Sequence, residues 1–156
     1  MLSMLSLLAL CVVGAVVPQD PQGTVIKLNG PLAGDVLAFA LDPSGTYAVY
    51  AAEATVVGTT EIFSVRCDGS APPVRLDEPG TSPRASFLLT PDGQTVVMPR
   101  RNDPNGLRVF ARPTDGSASA TLLANVPPRV EADFAFSPDS RWLVYRESWR
   151  PGSVVE

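Results

Sequence analysis

The chain has 156 residues, 45% of them apolar, which suits one domain with a buried core. A net charge of −4 and a pI near 4.8 leave no clustered-cation surface for a phosphate backbone, so no nucleic-acid partner is expected. Histidine is absent, which removes Ser-His-Asp, Cys-His and His-ligated metal chemistry from this chain.

Residues 2–17, LSMLSLLALCVVGAVV, carry no charge, and Pro18, Gln19 and Asp20 end the run. The length suits the apolar region of a signal peptide and is short for a membrane span of about 20 residues. Val13-Gly14-Ala15 offers the small residues that a signal peptidase reads, although no Lys or Arg precedes the run. Two alternatives are a retained membrane anchor and lipidation at Cys11, where bulky Leu10 stands in the place of the usual small residue. The expectation is a signal-like apolar helix over 1–17, a linker over 18–23, and a periplasmic or secreted remainder that meets a membrane only through an uncleaved N-terminus. The other cysteine, Cys67, reads as a small apolar residue at a strand end. Lys27, the single lysine, lies in the strand-like run TVIKLN and is expected to face outward.

Beyond the linker the chain writes one pattern three times: LDPSGTYAVY from Leu41, LTPDGQTVVM from Leu89 and FSPDSRWLVY from Phe136. Pro43, Pro91 and Pro138 are spaced 48 and 47 apart, and Leu28, Leu76 and Leu123 keep the same spacing. Gly69 and Gly116 are 47 apart, as are Phe63 and Phe110. A fixed period of about 20 to 50 residues marks a repeat architecture.

Each unit reads as four short strands. Residues 24–29 suit the outer strand of a first unit. In the next, DVLAFAL (35–41) is apolar on both alternations, which predicts burial on both faces. The turn DPSG leads to TYAVYAAE, the variable loop 54–60 to EIFSVRC, and the turn DGSAP to PVRLDE, the most polar strand. The order recurs over 85–125 and begins again at 133. The adjacent cations Arg100 and Arg101, with Asp103 close behind, read as a solvated loop. Asp92 and Asp139 in the proline turns are read as partners of nearby backbone N–H groups rather than as metal ligands or catalysts.

Apolar character falls from the first strand of a unit to the fourth. A sheet standing edge-on to a central axis needs that gradient, its inner strand enclosed and its outer strand wet; this is the blade of a β-propeller. The expected fold is all-β: a partial β-propeller over 24–156, with about two and a half four-stranded antiparallel blades at 35–78, 85–125 and 133–156. A sandwich or β-solenoid is the alternative. The ending GSVVE reads as the start of a third strand. Propellers close with about four to eight blades, so the expectation is a fragment of a longer propeller, or edge-to-edge self-association.

The proline-turn cores Leu89-Thr90-Pro91-Asp92-Gly93 and Phe136-Ser137-Pro138-Asp139, with the looser Leu41-Asp42-Pro43-Ser44-Gly45, resemble the WD40-like (PD40) repeat of TolB-type propellers. The tails IFSVRCDGSAPPVRL and VFARPTDGSASATLL resemble the ending of that repeat. The resemblance implies a non-catalytic periplasmic or secreted segment that binds a protein or small ligand, without a cofactor. TolB-type proteins usually carry an α/β domain before the propeller, and this chain has no room for one between the apolar run and the repeats. The same repeats form accessory propellers of prolyl-oligopeptidase-like hydrolases, which is the alternative function; no G-x-S-x-G elbow is present. A carboxylate enzyme such as a glycosidase is a third reading, with no pair of acids that the sequence brings together. Candidate loop contacts are Arg101, Asp103, Trp149 and Arg150.

Overall fold

A computed structural model describes residues 8–9, 25–78, 86–101, 107–126 and 133–146, none of which is helical. Strands β1 (Leu8–Ala9) and β2 (Ile26–Lys27) pair antiparallel. Strands β3 (Val36–Leu41), β4 (Tyr47–Ala52), β5 (Glu61–Arg66) and β6 (Val74–Arg75) form a first four-stranded sheet in chain order. Strands β7 (Leu88–Leu89), β8 (Thr95–Arg101), β9 (Leu107–Pro113) and β10 (Thr121–Val126) repeat that order in a second. A hairpin of β11 (Asp133–Phe136) and β12 (Leu143–Arg146) begins a third. All neighbours are antiparallel, and the chain is a partial β-propeller. Of the apolar run expected as a helix, only Leu8 and Ala9 are described, and they are extended against β2.

The three proline turns are closed by the same bonds. Gly45 N–H donates to Asp42 O at 2.9 Å, Gly93 N–H to Thr90 O at 2.8 Å and Ser140 N–H to Ser137 O at 2.9 Å. Their last residues all have positive φ, at 70°, 72° and 59°, where glycine costs least; Ser140 is the one side chain held there. The acids serve the backbone as expected, Asp92 Oδ1 accepting from Gln94 N–H at 3.0 Å and Asp139 Oδ1 from Arg141 N–H at 3.2 Å. In the first unit acid and hydroxyl exchange places. Asp42 Oδ1 takes the N–H of Tyr47 at 2.7 Å, as Thr90 Oγ1 takes that of Thr95 at 3.0 Å, and Ser44 stands where Asp92 does. The DPSG and TPDG sequences thus fold to one bonding pattern.

The sheets stack face to face. Leu28 packs with Ala48, Tyr50, Val65 and Cys67 on one face of the first sheet. Val49, Ala51, Ile62 and Leu76 on its other face pack against Val96, Met98 and Phe110 of the second. Val97 and Val109, on the far face of the second, pack against Phe134, Phe136 and Leu143 of the hairpin. Each such buried aliphatic or aromatic side chain stabilises by about 1.5–3 kcal/mol relative to exposure, so the seams between sheets are where the fold is held. At the turn end Arg112 of β9 bridges the first seam, its Nη1 donating to Arg75 O at 2.9 Å and Leu76 O at 3.0 Å.

Four expectations need correction or refinement. Strand β3 is not buried on both faces: Ala38 packs toward the second sheet, but Phe39 and Leu41 are exposed, because among the described residues Ile26, Leu28 and Leu32 pack with Ala48, Tyr50, Val65 and Cys67 rather than over them. The most polar strand is not simply wet, since Leu76 and Asp77 beside β6 are buried. Arg100 is not in a solvated loop. It lies in β8 on the Met98 side, buried, with Cζ 4.7 Å from the centre of the Phe110 ring. Strand β7 is cut to two residues by Pro99 in β8. Thr95 O accepts from Thr90, so odd-numbered residues of β8 turn their backbone polar groups toward β7, and Pro99 has no N–H to continue that ladder. As expected, Lys27 is exposed and Cys67 is buried in an apolar cluster.

Candidate functional site

The antiparallel order puts the two ends of the stack to different uses. The proline turns and the turns at Gly69 and Gly116 lie at one end and are near copies of each other. The connections β4–β5 and β8–β9 lie at the opposite end, and there the units differ in sequence. Rigid strands carrying variable loops at one end form the usual site of recognition.

The loop 53–60 is built in detail. Its tip is a turn in which Thr59 N–H donates to Val56 O at 3.0 Å and Gly58 sits at φ 83°. Glu53 Oε1 accepts from Gly58 N–H at 2.9 Å, tying the tip to the end of β4. Glu61, the first residue of β5, is buried and holds the near side: Oε2 accepts from Thr55 N–H at 2.9 Å and Oε1 from Thr55 Oγ1 at 3.2 Å. Val56 and Val57 therefore stand exposed on a braced tip.

Glu61 is in turn held from below. Arg75 on β6 reaches across with Nη1 2.5 Å from Glu61 Oε1, while its Nη2 and Nε lie 2.7 and 3.1 Å from the two oxygens of Asp77. Asp77 Oδ1 also accepts from Ile62 N–H at 2.8 Å, so the pair of carboxylates straddles one guanidinium and locks β6 to β5. The bonds to Asp77, and the charges of Asp77 and Glu61, hold the Arg75 pKa above its ordinary value against the effect of burial. Across the seam, burial lowers that of Arg100, an effect opposed by Asp77 and Glu78. The arrangement braces the loop: the charges of Glu61, Arg75 and Asp77 are tied to one another and to backbone. Among the described residues no group of His, Cys, Asp and Glu gathers as metal ligands would.

A second feature is an open cleft of about 410 Å³ between the second sheet and the hairpin, lined on one side by Val97, Val109 and Leu123 and on the other by Phe134, Phe136 and Tyr145. Among the described residues, the hairpin β11–β12 forms the hairpin-side wall of this cleft.

Of the residues read as loop contacts, Arg101 ends β8, at the same end as the braced loop. Asp103, Trp149 and Arg150 fall outside the described residues. The variable loop at 54–60 was visible in the sequence. The Glu61–Arg75–Asp77 brace was not, because charged residues in the third and fourth strands look the same whether they meet water or each other.

No protein-family model matches the chain, and no curated protein does. Among solved structures, the chain is similar to TolB from Acinetobacter baumannii, with a TM-score of 0.56 and 18% sequence identity over 83% of this chain. It spans 30% of the length of that protein. At that identity the likeness is one of fold, and the fold this chain shares is that of stacked propeller sheets.

Proposed function

We propose that the chain is a non-catalytic, exported β-propeller segment that binds a protein or ligand through the loop end of its sheets. The observation that carries this reading is the braced loop 53–60. Two carboxylates and a buried ion triad are spent on holding an exposed apolar tip, which is how a recognition loop is made rigid before it meets its partner. Arg101, Asp103, Trp149 and Arg150 are proposed as further contacts with the partner. The uncharged run at 2–17 supports export.

A photo-reactive amino acid placed at Val57, and separately at Gln94 on the opposite end, tests this in the organism that makes the protein. A discrete cross-linked species at Val57 that is lost with Val56→Asp, and none at Gln94, is expected. The same species from both positions, or none from Val57, contradicts the reading.

A further inference from the structure

The turns that join β5 to β6 and β9 to β10 match bond for bond. Gly69 N–H donates to Arg66 O at 3.1 Å and Gly116 N–H to Pro113 O at 2.9 Å, with φ of 69° and 72°. Ser70 N–H and Ser117 N–H each donate at 2.9 Å to the aspartate two residues before, Asp68 and Asp115. Both turns rest on the strands before them at the same place. A Cβ on Gly69 would lie 3.1 Å from Ile26 and one on Gly116 2.6 Å from Val74, just as one on Gly93 would lie 2.7 Å from Pro43 of the preceding proline turn.

In the second unit Arg112 lies beneath this turn. Besides the bonds of its Nη1 to Arg75 O and Leu76 O, its Nε donates to Ala118 O at 2.8 Å and its Nη2 to Gly116 O at 3.3 Å. One planar guanidinium thus meets backbone carbonyls on both sides of the seam. In the first unit the residue at this position is Val65, and the matching carbonyls are those of Lys27, Leu28, Ala71 and Gly69. Valine carries no donor and is too short to reach them. A cavity of about 360 Å³ lies there, with Lys27, Leu28, Asn29, Val65, Gly69 and Ala71 in its lining.

Asn29 adds a further acceptor. It is 7% exposed, and its Nδ2 donates to Gly30 O at 3.1 Å, which fixes how the amide is turned. Its Oδ1 is buried with no hydrogen-bond partner, an arrangement that costs stability until a donor meets it. Asn29 holds the position of Asp77, whose carboxylate bonds the guanidinium of Arg75 in the next repeat. The cation of the lining, Lys27, is exposed, and an ammonium lacks the planar fork that meets carbonyls on two sides.

We propose that this cavity binds a guanidinium group from outside the chain, held by the carbonyls of Lys27, Leu28, Gly69 and Ala71 and by Oδ1 of Asn29. The site lies at the turn end, opposite the braced loop, so the inference is independent of what that loop binds.

The isotope-labelled chain, titrated with N-acetylarginine amide and followed by its amide resonances, tests this. Saturable shifts are expected at Leu28, Gly69, Ser70 and the side-chain amide of Asn29. N-acetylcitrulline amide, with the same shape and no charge, and N-acetyllysine amide, with the charge and no fork, are expected to bind at least tenfold more weakly. No saturable shift at these residues, or equal binding of either control, overturns the proposal. Val65→Arg supplies the guanidinium from within the chain, as Arg112 does, and is expected to abolish binding of the probe. A folded Val65→Arg chain that binds it as the wild type does also overturns the proposal; should that variant not fold, the wild-type titration decides. A blocked Gly-Gly-Arg-Gly-Gly peptide separates the sources, and both of its outcomes support the site: binding tighter than the probe's assigns the group to a protein's arginine, and weaker binding to a small molecule.

Discussion

Replacing Arg75 with alanine removes the only cation within bonding distance of Glu61 and Asp77 among the described residues, and leaves two buried carboxylates side by side. Removing one partner from a fully buried pair costs about 3–5 kcal/mol, because the remaining charge stays desolvated. The Arg75 side chain is 27% exposed, so water relieves part of that. We expect Arg75→Ala to lose about 2–4 kcal/mol, a large share of the roughly 5–15 kcal/mol that holds a domain together. Urea unfolding followed by circular dichroism at neutral pH measures it. The double variant Arg75→Ala with Glu61→Gln should recover part of the loss, since a neutral amide oxygen can still accept the Thr55 N–H without a buried charge. A cost below about 1 kcal/mol, or strict additivity of the two changes, would refute the claim that the triad is a coupled brace rather than a set of surface pairs.

Gly93→Ala should cost about 2–5 kcal/mol in the same assay, combining about 1–2 for a left-handed backbone with about 1–3 for overlap with the preceding turn; a loss below 1 would mean that the turns do not stack. On the alkaline side, burial raises the Tyr50 pKa to about 12 from an ordinary 10.0. The folded state therefore favours the neutral phenol, and its stability is present below pH 10 and lost as pH rises toward 12. Tyr50→Phe should flatten that alkaline decline, and a decline of the same depth in the variant would contradict the assignment. On the acid side, hydrogen bonds from Thr90 and Gln94 lower the pKa of Asp92, and those from Ser137 and Arg141 lower that of Asp139, from 3.8. Their contribution is present above the ordinary carboxylate value and is lost as pH falls below about 4. Asp92→Asn combined with Asp139→Asn should therefore make the stability curve shallower there, and an unchanged acid limb would count against these turns.

The repeat was legible because its signal is arithmetic. Pro43, Pro91 and Pro138 fall on one spacing, and the structure places them in three turns closed by the same bonds. The sheet order followed from that. Burial did not, for two physical reasons. Apolar alternation in β3 reports what a face could bury, not whether a neighbour lies over it, and Phe39 lacks the neighbour that Phe87 has. A charge in a strand reads as solvated unless its partner is known, and Arg75 meets Glu61 from 14 residues away along the chain. Pro99 was readable in the sequence, but its effect on β7 depends on which way its backbone points, which only the register fixes.

Successive sheets pack through two separate apolar seams. Methyl-labelled nuclear Overhauser spectroscopy tests this directly. The expected spectrum has one network joining Val49, Ile62 and Leu76 to Val96 and Met98, and a second joining Val97 and Val109 to Leu143, with no cross-peak between Val49 and Val97. Cross-peaks between Val49 and Val97, or the absence of any linking residues 49–76 to residues 96–98, would contradict it.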